Sequence, residues 1–306
     1  MHDTSPDTSP DTSPDTAQTT DVTDVNERTR AMTSNTDGRP ALSDELIQQF
    51  SLQGRTAVIT GAAGGIGRQA AITFTQAGAN VLIADVGVAG LEETAEMVAA
   101  AGGNATIVPT DVSDRDQVNA LADAAITTHG RLDIWANVAG VIRYMPIVDA
   151  TPEDVEFITK VNLWGTYWGV AAAGRTMTNG GSIINFSSAG GEMPAPTLSI
   201  YAMTKAAVSH LTRCAATEFG PSDIRVNAIA PGFTDTPMVQ QNWTNPDGSI
   251  DEAKREAYTS LRAAQSPLRT IATSEDQTWA MLYLASDASR FITGQVIRPN
   301  GGVVMA

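Results

Sequence analysis

Residues 56–67 read Thr56-Ala57-Val58-Ile59-Thr60-Gly61-Ala62-Ala63-Gly64-Gly65-Ile66-Gly67, an apolar β-rich run that breaks into a glycine turn. The helix-compatible Arg68-Gln69-Ala70-Ala71 follows at once. Glycines at 61, 65 and 67 permit a tight turn, close approach of backbone to a ligand, and packing of a helix against a sheet. A phosphate placed there sits on the helix N-terminus, where backbone N–H groups and the helix dipole favour negative charge. A strand, a glycine turn and a helix in this order make up the opening unit of a doubly wound α/β fold.

Working outward, six more β-rich runs follow: Asn80 to Ala84, Ala105 to Val108, Leu132 to Ala136, Ser182 to Phe186, Arg225 to Ile229 and Gln295 to Ile297. They are mostly apolar on both faces, as strands covered on both sides must be. Between them lie helix-length segments at 92–101, 117–128, 153–177 and 202–219. This alternation predicts α/β architecture: a single Rossmann-like doubly wound domain over 41–306, with a seven-stranded parallel sheet and helices on both faces. The stretch 234–265 carries no strand signal, is rich in Thr, Asn, Gln and Asp, and reads as a substrate loop. A short helix-like segment, Asp44 to Phe50, precedes the body. Residues 1–40, which begin with Asp-Thr-Ser-Pro repeats, read as a disordered low-complexity tail.

The 306 residues are 42% hydrophobic and 17% charged, enough for a sizeable core. The formal charge is −15, of which ten acids and three arginines in residues 1–50 carry −7. No basic footprint is available for nucleic acid, so no nucleic-acid partner is expected. Neither a membrane span nor a secretory leader is evident, which points to a cytoplasmic protein with no membrane partner. Cys214 is the sole cysteine and His2, His129 and His210 are scattered, so neither a disulfide nor a zinc cluster is expected, and no metal.

Asp85 ends the second strand 18 residues after Gly67, where a carboxylate accepts hydrogen bonds from adenosine ribose hydroxyls and repels a 2′-phosphate. The positions where a cation would receive that phosphate hold Ala63 and Val86, so the expected cofactor is NAD. Tyr201 and Lys205, at i and i+4, share one helix face. A neighbouring ammonium stabilises a phenolate and is expected to lower the tyrosine pKa. Ser188 lies thirteen residues upstream of Tyr201, just past the fifth strand.

With these residues in view, positions 51–302 resemble the short-chain dehydrogenase/reductase family, and the Thr60 to Gly67 turn looks like its cofactor signature. Asp111-Val112 resembles the family's adenine-contacting pair. Asn137-Val138-Ala139-Gly140 resembles its Asn-Asn-Ala-Gly element, with Val138 as a departure. The resemblance implies that Asn162 holds a water in a proton relay, that Ser188 rather than Ser187 holds the substrate oxygen, and that Tyr201 is the general acid/base. It further implies that Lys205 binds the nicotinamide ribose and that Pro231, Gly232, Thr234 and Thr236 hold the carboxamide. Asn300-Gly301-Gly302 stands where the family has Asp-Gly-Gly.

What the resemblance implies is an NAD-dependent oxidoreductase acting on a secondary alcohol or ketone. A lining of Arg143, Tyr144, Met145, Gly190, Gly191, Glu192, Met193, Met238 and Trp243 suits a hydrophobic or cyclic substrate. A 3-oxoacyl-carrier-protein reductase ranks second and sugar or polyol oxidation third. A non-catalytic NAD-sensing protein is the reading of another class. Trp164, Tyr167 and Trp168 are expected at a subunit interface of a homotetramer or homodimer, His210 in packing or an interface, His129 at a helix end and Cys214 in the core.

Overall fold

The structure, a computed structural model, describes residues 42–305; the predicted tail at 1–40 lies outside the described residues. The chain divides between Ile47 and Gln48, with helix α1 (Asp44–Phe50) running across that division and the sheet wholly within the second part.

Seven strands form one sheet: β1 (Thr56–Thr60), β2 (Asn80–Asp85), β3 (Ala105–Pro109), β4 (Ile134–Asn137), β5 (Gly181–Phe186), β6 (Ile224–Ile229) and β7 (Val296–Ile297). Their order is β3-β2-β1-β4-β5-β6-β7, and every pairing is parallel. The chain first winds away from β1 through β2 to β3, then returns to place β4 on the other side of β1. The two windings diverge at the carboxyl ends of β1 and β4 and leave a crevice there.

Alternate residues of the same strands feed two cores, the two-residue period of a strand covered on both faces. Ala57, Ile59, Val81, Ile83, Ile134 and Ala136 pack with Phe74, Leu91, Met281 and Leu284. These partners come from α2 (Gly65–Gln76), α3 (Val88–Ala100) and α10 (Ser274–Ala285). Val58, Leu82, Ala84, Trp135, Ile183 and Val226 face the other way, against Val118, Leu121, Val170, Ala173 and Ala215. Those belong to α4 (Arg115–His129), α6 (Gly165–Thr176) and α7 (Ser199–Phe219).

Helix ends follow local side-chain chemistry. Asp114 accepts from the backbone N–H groups of Asp116 and Gln117, which starts α4 two residues before the periodicity placed it. His129 ends that helix as expected, with Gly130 in the left-handed conformation beyond it. A Thr151/Asp154 capping box opens α5 (Pro152–Thr159).

The segment expected as one helix over 153–177 is interrupted by a π-type turn at Lys160–Trp164. The extra residue in that turn brings Asn162 fully inside, where its amide clasps Val141 through both N–H and C=O. The stretch 234–265 also differs from a loop: it holds α8 (Pro237–Gln240) and the fourteen-residue α9 (Glu252–Gln265), capped by Asp251. No residue of α9 is buried; its half-buried stripe, Arg255, Tyr258, Thr259 and Arg262, is of polar and aromatic types rather than the aliphatic residues that mark the core helices.

A buried polar line crosses the sheet beneath the crevice. Trp135 Nε1 donates to Asn137 Oδ1 at 2.7 Å, Asn137 Nδ2 to Asn185 Oδ1 at 2.9 Å, and Asn185 Nδ2 to Thr212 Oγ1 at 3.0 Å. Asn185→Ala leaves the Asn137 Nδ2 donor without its partner in a dry interior, while Thr212 Oγ1 keeps its bond to the Val208 carbonyl. The expected loss is about 1–3 kcal/mol in urea unfolding with an unchanged slope; an unaltered midpoint would remove this line from the account of the core.

Candidate active site

The glycine turn meets the end of β4 across the crevice. Gly61 has φ +71, and a Cβ on it would lie 2.7 Å from the Ala139 amide nitrogen. A Cβ on Gly67 would collide with the Gly61 carbonyl oxygen. Thr60 Oγ1 fixes this approach, accepting from the N–H groups of Val138 and Ala139, each at 3.2 Å. The result is a bare-backbone cradle at the N-terminus of α2, fitted to the pyrophosphate of a nicotinamide dinucleotide, NAD or NADP. Asp85 stands beside it, its carboxylate accepting from Ala63 N–H at 3.2 Å and Gly87 N–H at 3.0 Å.

From this cradle a cleft of about 1100 Å³ extends along the carboxyl edge of the sheet. Gly61, Gly65, Ile66, Gly67, Asp85, Asp111, Val112, Ala139 and Gly140 line one end. Ser188, Tyr201, Lys205, Pro231, Gly232, Thr234 and Thr236 line the remainder. Three expected site residues stand behind the wall instead. Ala63 lends its N–H to Asp85, Asn137 belongs to the polar line under the cleft, and Asn162 holds Val141.

The two serines after β5 separate by what they touch. Ser187 is buried and bonded to Lys205 O at 2.9 Å and to Ser209 Oγ at 2.7 Å, so its hydroxyl is engaged with α7. Ser188 lies beside the Tyr201 hydroxyl and favours its ionised form, and its Oγ accepts from Gly190 N–H at 3.1 Å. Lys205 Nζ donates to Phe186 O at 2.8 Å and lies 5.7 Å from the Tyr201 ring centroid. A Cβ on Gly140 would sit 3.3 Å from Asn162 Oδ1 and 3.5 Å from Lys205 Nζ, so a bare glycine lets both groups close in.

The expected depression of the Tyr201 pKa by Lys205 is corrected by this geometry. Burial pushes the Tyr201 hydroxyl above its ordinary value; the Ser188 hydroxyl opposes that rise and neighbouring Tyr144 adds to it. The Lys205 ammonium, which donates to the Phe186 carbonyl, is not among the groups that set this direction. Burial also pushes Lys205 itself down to about 8.

Several specificity residues fall elsewhere than expected. Arg143, Tyr144, Gly190, Met193 and Met238 line the cleft, whereas Met145, Gly191, Glu192 and Trp243 do not. Trp243 is fully buried and packs against Tyr258 at 5.7 Å between ring centroids, and Glu192 pairs with Arg298 at 2.8 Å. Cys214 is exposed rather than in the core, because the polar face of α7 carries it beside Arg213. Tyr258 and Arg262, which the sequence reading missed, line the cleft from α9. Their i, i+4 spacing with opposed polar neighbours was the available signal.

A family model described as enoyl-(acyl carrier protein) reductase matches residues 61–304. An uncharacterized oxidoreductase of Methylorubrum extorquens is 36% identical over 82% of this chain and 98% of its own length. The 3-oxoacyl-[acyl-carrier-protein] reductase FabG of Thermotoga maritima is 34% identical, over 83% and 99%. The crystal structure of a short-chain type dehydrogenase/reductase from Mycobacterium marinum superimposes with a TM-score of 0.78 at 33% identity, covering 85% of this chain and all of that one. The chain belongs to the short-chain dehydrogenase/reductase family. As a member it is an oxidoreductase, of a family that generally binds NAD or NADP. Among the described residues, no helix is long and apolar enough to cross a membrane, and no cluster of metal-ligating side chains occurs.

The buried lysine of this dehydrogenase/reductase ties stability to pH. Below about pH 8 Lys205 is charged both folded and unfolded, and its burial opposes folding. Between about 8 and the ordinary 10.5 the unfolded chain binds more protons, so stability rises with pH; above both values the penalty is gone. Lys205→Met lacks this dependence. Its stability relative to wild type should fall by on the order of 3 kcal/mol between pH 7 and 10.5 in parallel denaturation series; a pH-independent difference would mean that Lys205 is not depressed.

Proposed function

We propose that this oxidoreductase is NAD-dependent and transfers a hydride between nicotinamide and a secondary alcohol or ketone of hydrophobic or cyclic skeleton. One observation carries the reading: Tyr201, with Ser188 and Lys205 beside it, stands in the same cleft as the glycine cradle and Asp85.

A nicotinamide dinucleotide held by the Gly61 to Gly67 cradle and Asp85 would supply the hydride acceptor for alcohol oxidation, or the hydride donor for ketone reduction. The chain's own groups handle the proton. Tyr201 Oη, held protonated by burial, donates to the ketone oxygen as it becomes a hydroxyl; in the reverse direction it receives that proton. Ser188 Oγ positions the same oxygen, and Lys205, protonated near neutrality, offsets the charge left on the phenolate. Asn162 fixes Val141 and hence the backbone beside Gly140, and reaches Thr204 Oγ1 at 3.3 Å.

Preference for NAD is supported by Asp85 and by the absence of a free cation beside it among the described residues. Arg68, the nearest arginine in sequence to the turn, is committed to Ala63 O, Gly90 O, Glu93 and Thr94. Val86 is exposed and uncharged. Exposed Trp164, stacked on Trp168, and exposed Tyr167, edge-on to both, lie away from the cleft and support a homotetramer or homodimer, and the overall reading is of a cytoplasmic enzyme. The family model's description and the Thermotoga relative favour a second reading, reduction of a 3-oxoacyl group on a carrier protein.

Absorbance at the nicotinamide band tests both readings, with NAD(H) and NADP(H) each offered cyclic secondary alcohols, ketones and an acetoacetyl thioester. Turnover of the cyclic compounds with NAD(H) is expected; a thioester reduced with NADPH in preference would favour the second reading. Tyr201→Phe should lower kcat at least about a hundredfold while NADH affinity stays within about twofold. Near-normal turnover in that variant removes Tyr201 from the chemistry. Asp85→Ala should narrow the preference for NAD, and an unchanged ratio would remove the role given to that carboxylate.

A further inference from the structure

The charge lining the cleft is opposite to that of the chain. The protein carries −15, yet among the described residues only two acids line the cleft, Asp85 and Asp111, both at the end near the glycine turn. Four cations line it: Arg143, Lys160, Lys205 and Arg262. Arg143 is paired with Asp154 and Lys160 with Glu156. Lys205 is directed to the Phe186 carbonyl beside Tyr201. Arg262 has no carboxylate partner among the described residues.

Arg262 is nevertheless held firmly. Its guanidinium lies 5.0 Å from the Tyr258 ring centroid and 5.8 Å from that of Phe233. Nη2 donates to the Tyr258 hydroxyl at 2.9 Å and Nη1 to Gln265 Oε1 at 3.2 Å, which leaves each of these nitrogens a second hydrogen. The Nε hydrogen is buried with no acceptor. An oriented planar cation with unspent donors and no counter-charge, at the wall of a cleft, is built to receive a carboxylate in the two-point manner. Tyr144 lines the same cleft: its hydroxyl accepts from Asn242 Nδ2 at 3.4 Å, and it interacts electrostatically with the hydroxyls of both Tyr258 and Tyr201.

We propose that the substrate carries a carboxylate on the skeleton beyond its reacting hydroxyl or ketone, and that Arg262, with the hydroxyls of Tyr258 and Tyr144, receives it. The inference rests on the oxidoreductase reading of the cleft and narrows its substrate to hydroxy or oxo acids of apolar skeleton. Arg262 is then a specificity-determining residue, set apart from the proton-handling group at Tyr201.

Binding, rather than turnover, provides the test, so its outcome is independent of whether Tyr201 is the acid. The full-length protein saturated with NADH is titrated calorimetrically with cyclohexanecarboxylate and, separately, with cyclohexanecarboxamide, which matches it in shape but carries no charge. The carboxylate should bind at least about tenfold more tightly, with an advantage that shrinks as salt is raised. Arg262→Met should abolish the difference while leaving NADH affinity unchanged. Arg262→Lys, which keeps the charge without the planar fork, should show an intermediate preference and serves if the methionine variant does not fold. Equal affinity for acid and amide in the wild type, no measurable binding of either, or an undiminished preference in the substituted protein would each overturn the proposal. Failure of Tyr201→Phe to lose turnover, with the acid preference intact, would instead count against the assignment of Tyr201 alone.

Discussion

Everything in the cleft depends on how closely two strand ends can approach. The backbone at Gly61 runs against Ala139 with no room for a side chain between them, and the Thr60 hydroxyl binds the two segments through the amides of Val138 and Ala139. Both strands are buried throughout, so neither can shift without disturbing cores on two faces of the sheet. The cradle for a pyrophosphate and the wall opposite Tyr201 are therefore parts of one rigid seam. Asn137, which never reaches the cleft, serves that seam by tying β4 to β5 and, through Asn185, to α7.

Placing a lysine inside such a seam is costly, and the structure shows what it gains. Lys205 is 4% exposed and hydrogen-bonded to the Phe186 carbonyl, so it cannot swing out to solvent as surface lysines do. The π-type turn at Lys160–Trp164 brings Asn162 to within reach of the same glycine that Lys205 faces. Irregular helix geometry and a buried charge thus meet at Gly140. Both features oppose stability locally, the pattern expected where positioning has been favoured over packing.

The elements nearest the sheet were legible in the sequence because the physics that forms them is local or strongly periodic. All seven strands fall within two residues of where the apolar runs placed them, and the glycine turn follows the first as its spacing required. Ser188 and Tyr201 meet, and the Ser187 alternative is occupied elsewhere. What the sequence concealed depended on tertiary direction. Helix α9 buries nothing, so its pattern resembled a polar loop. Trp243 looked like a substrate contact but turns under Tyr258, and Cys214 looked like a core residue but lies on the outward face of α7. The direction of the Tyr201 pKa shift was likewise hidden, because i, i+4 spacing places Lys205 on the right face without showing that burial of the phenol decides the direction.

The absence of buried residues from α9 has a consequence for how this molecule can diverge. Arg262, Tyr258 and Gln265 reach the cleft from a helix whose removal from the sheet core would leave both hydrophobic layers intact. Mutational drift there is decoupled from foldability: the segment can be rewritten, lengthened or exchanged between relatives while the dinucleotide seam is retained unchanged. Substrate repertoire and scaffold thus occupy separate stretches of chain, and a library confined to residues 252–265 would explore the former with little risk to the latter.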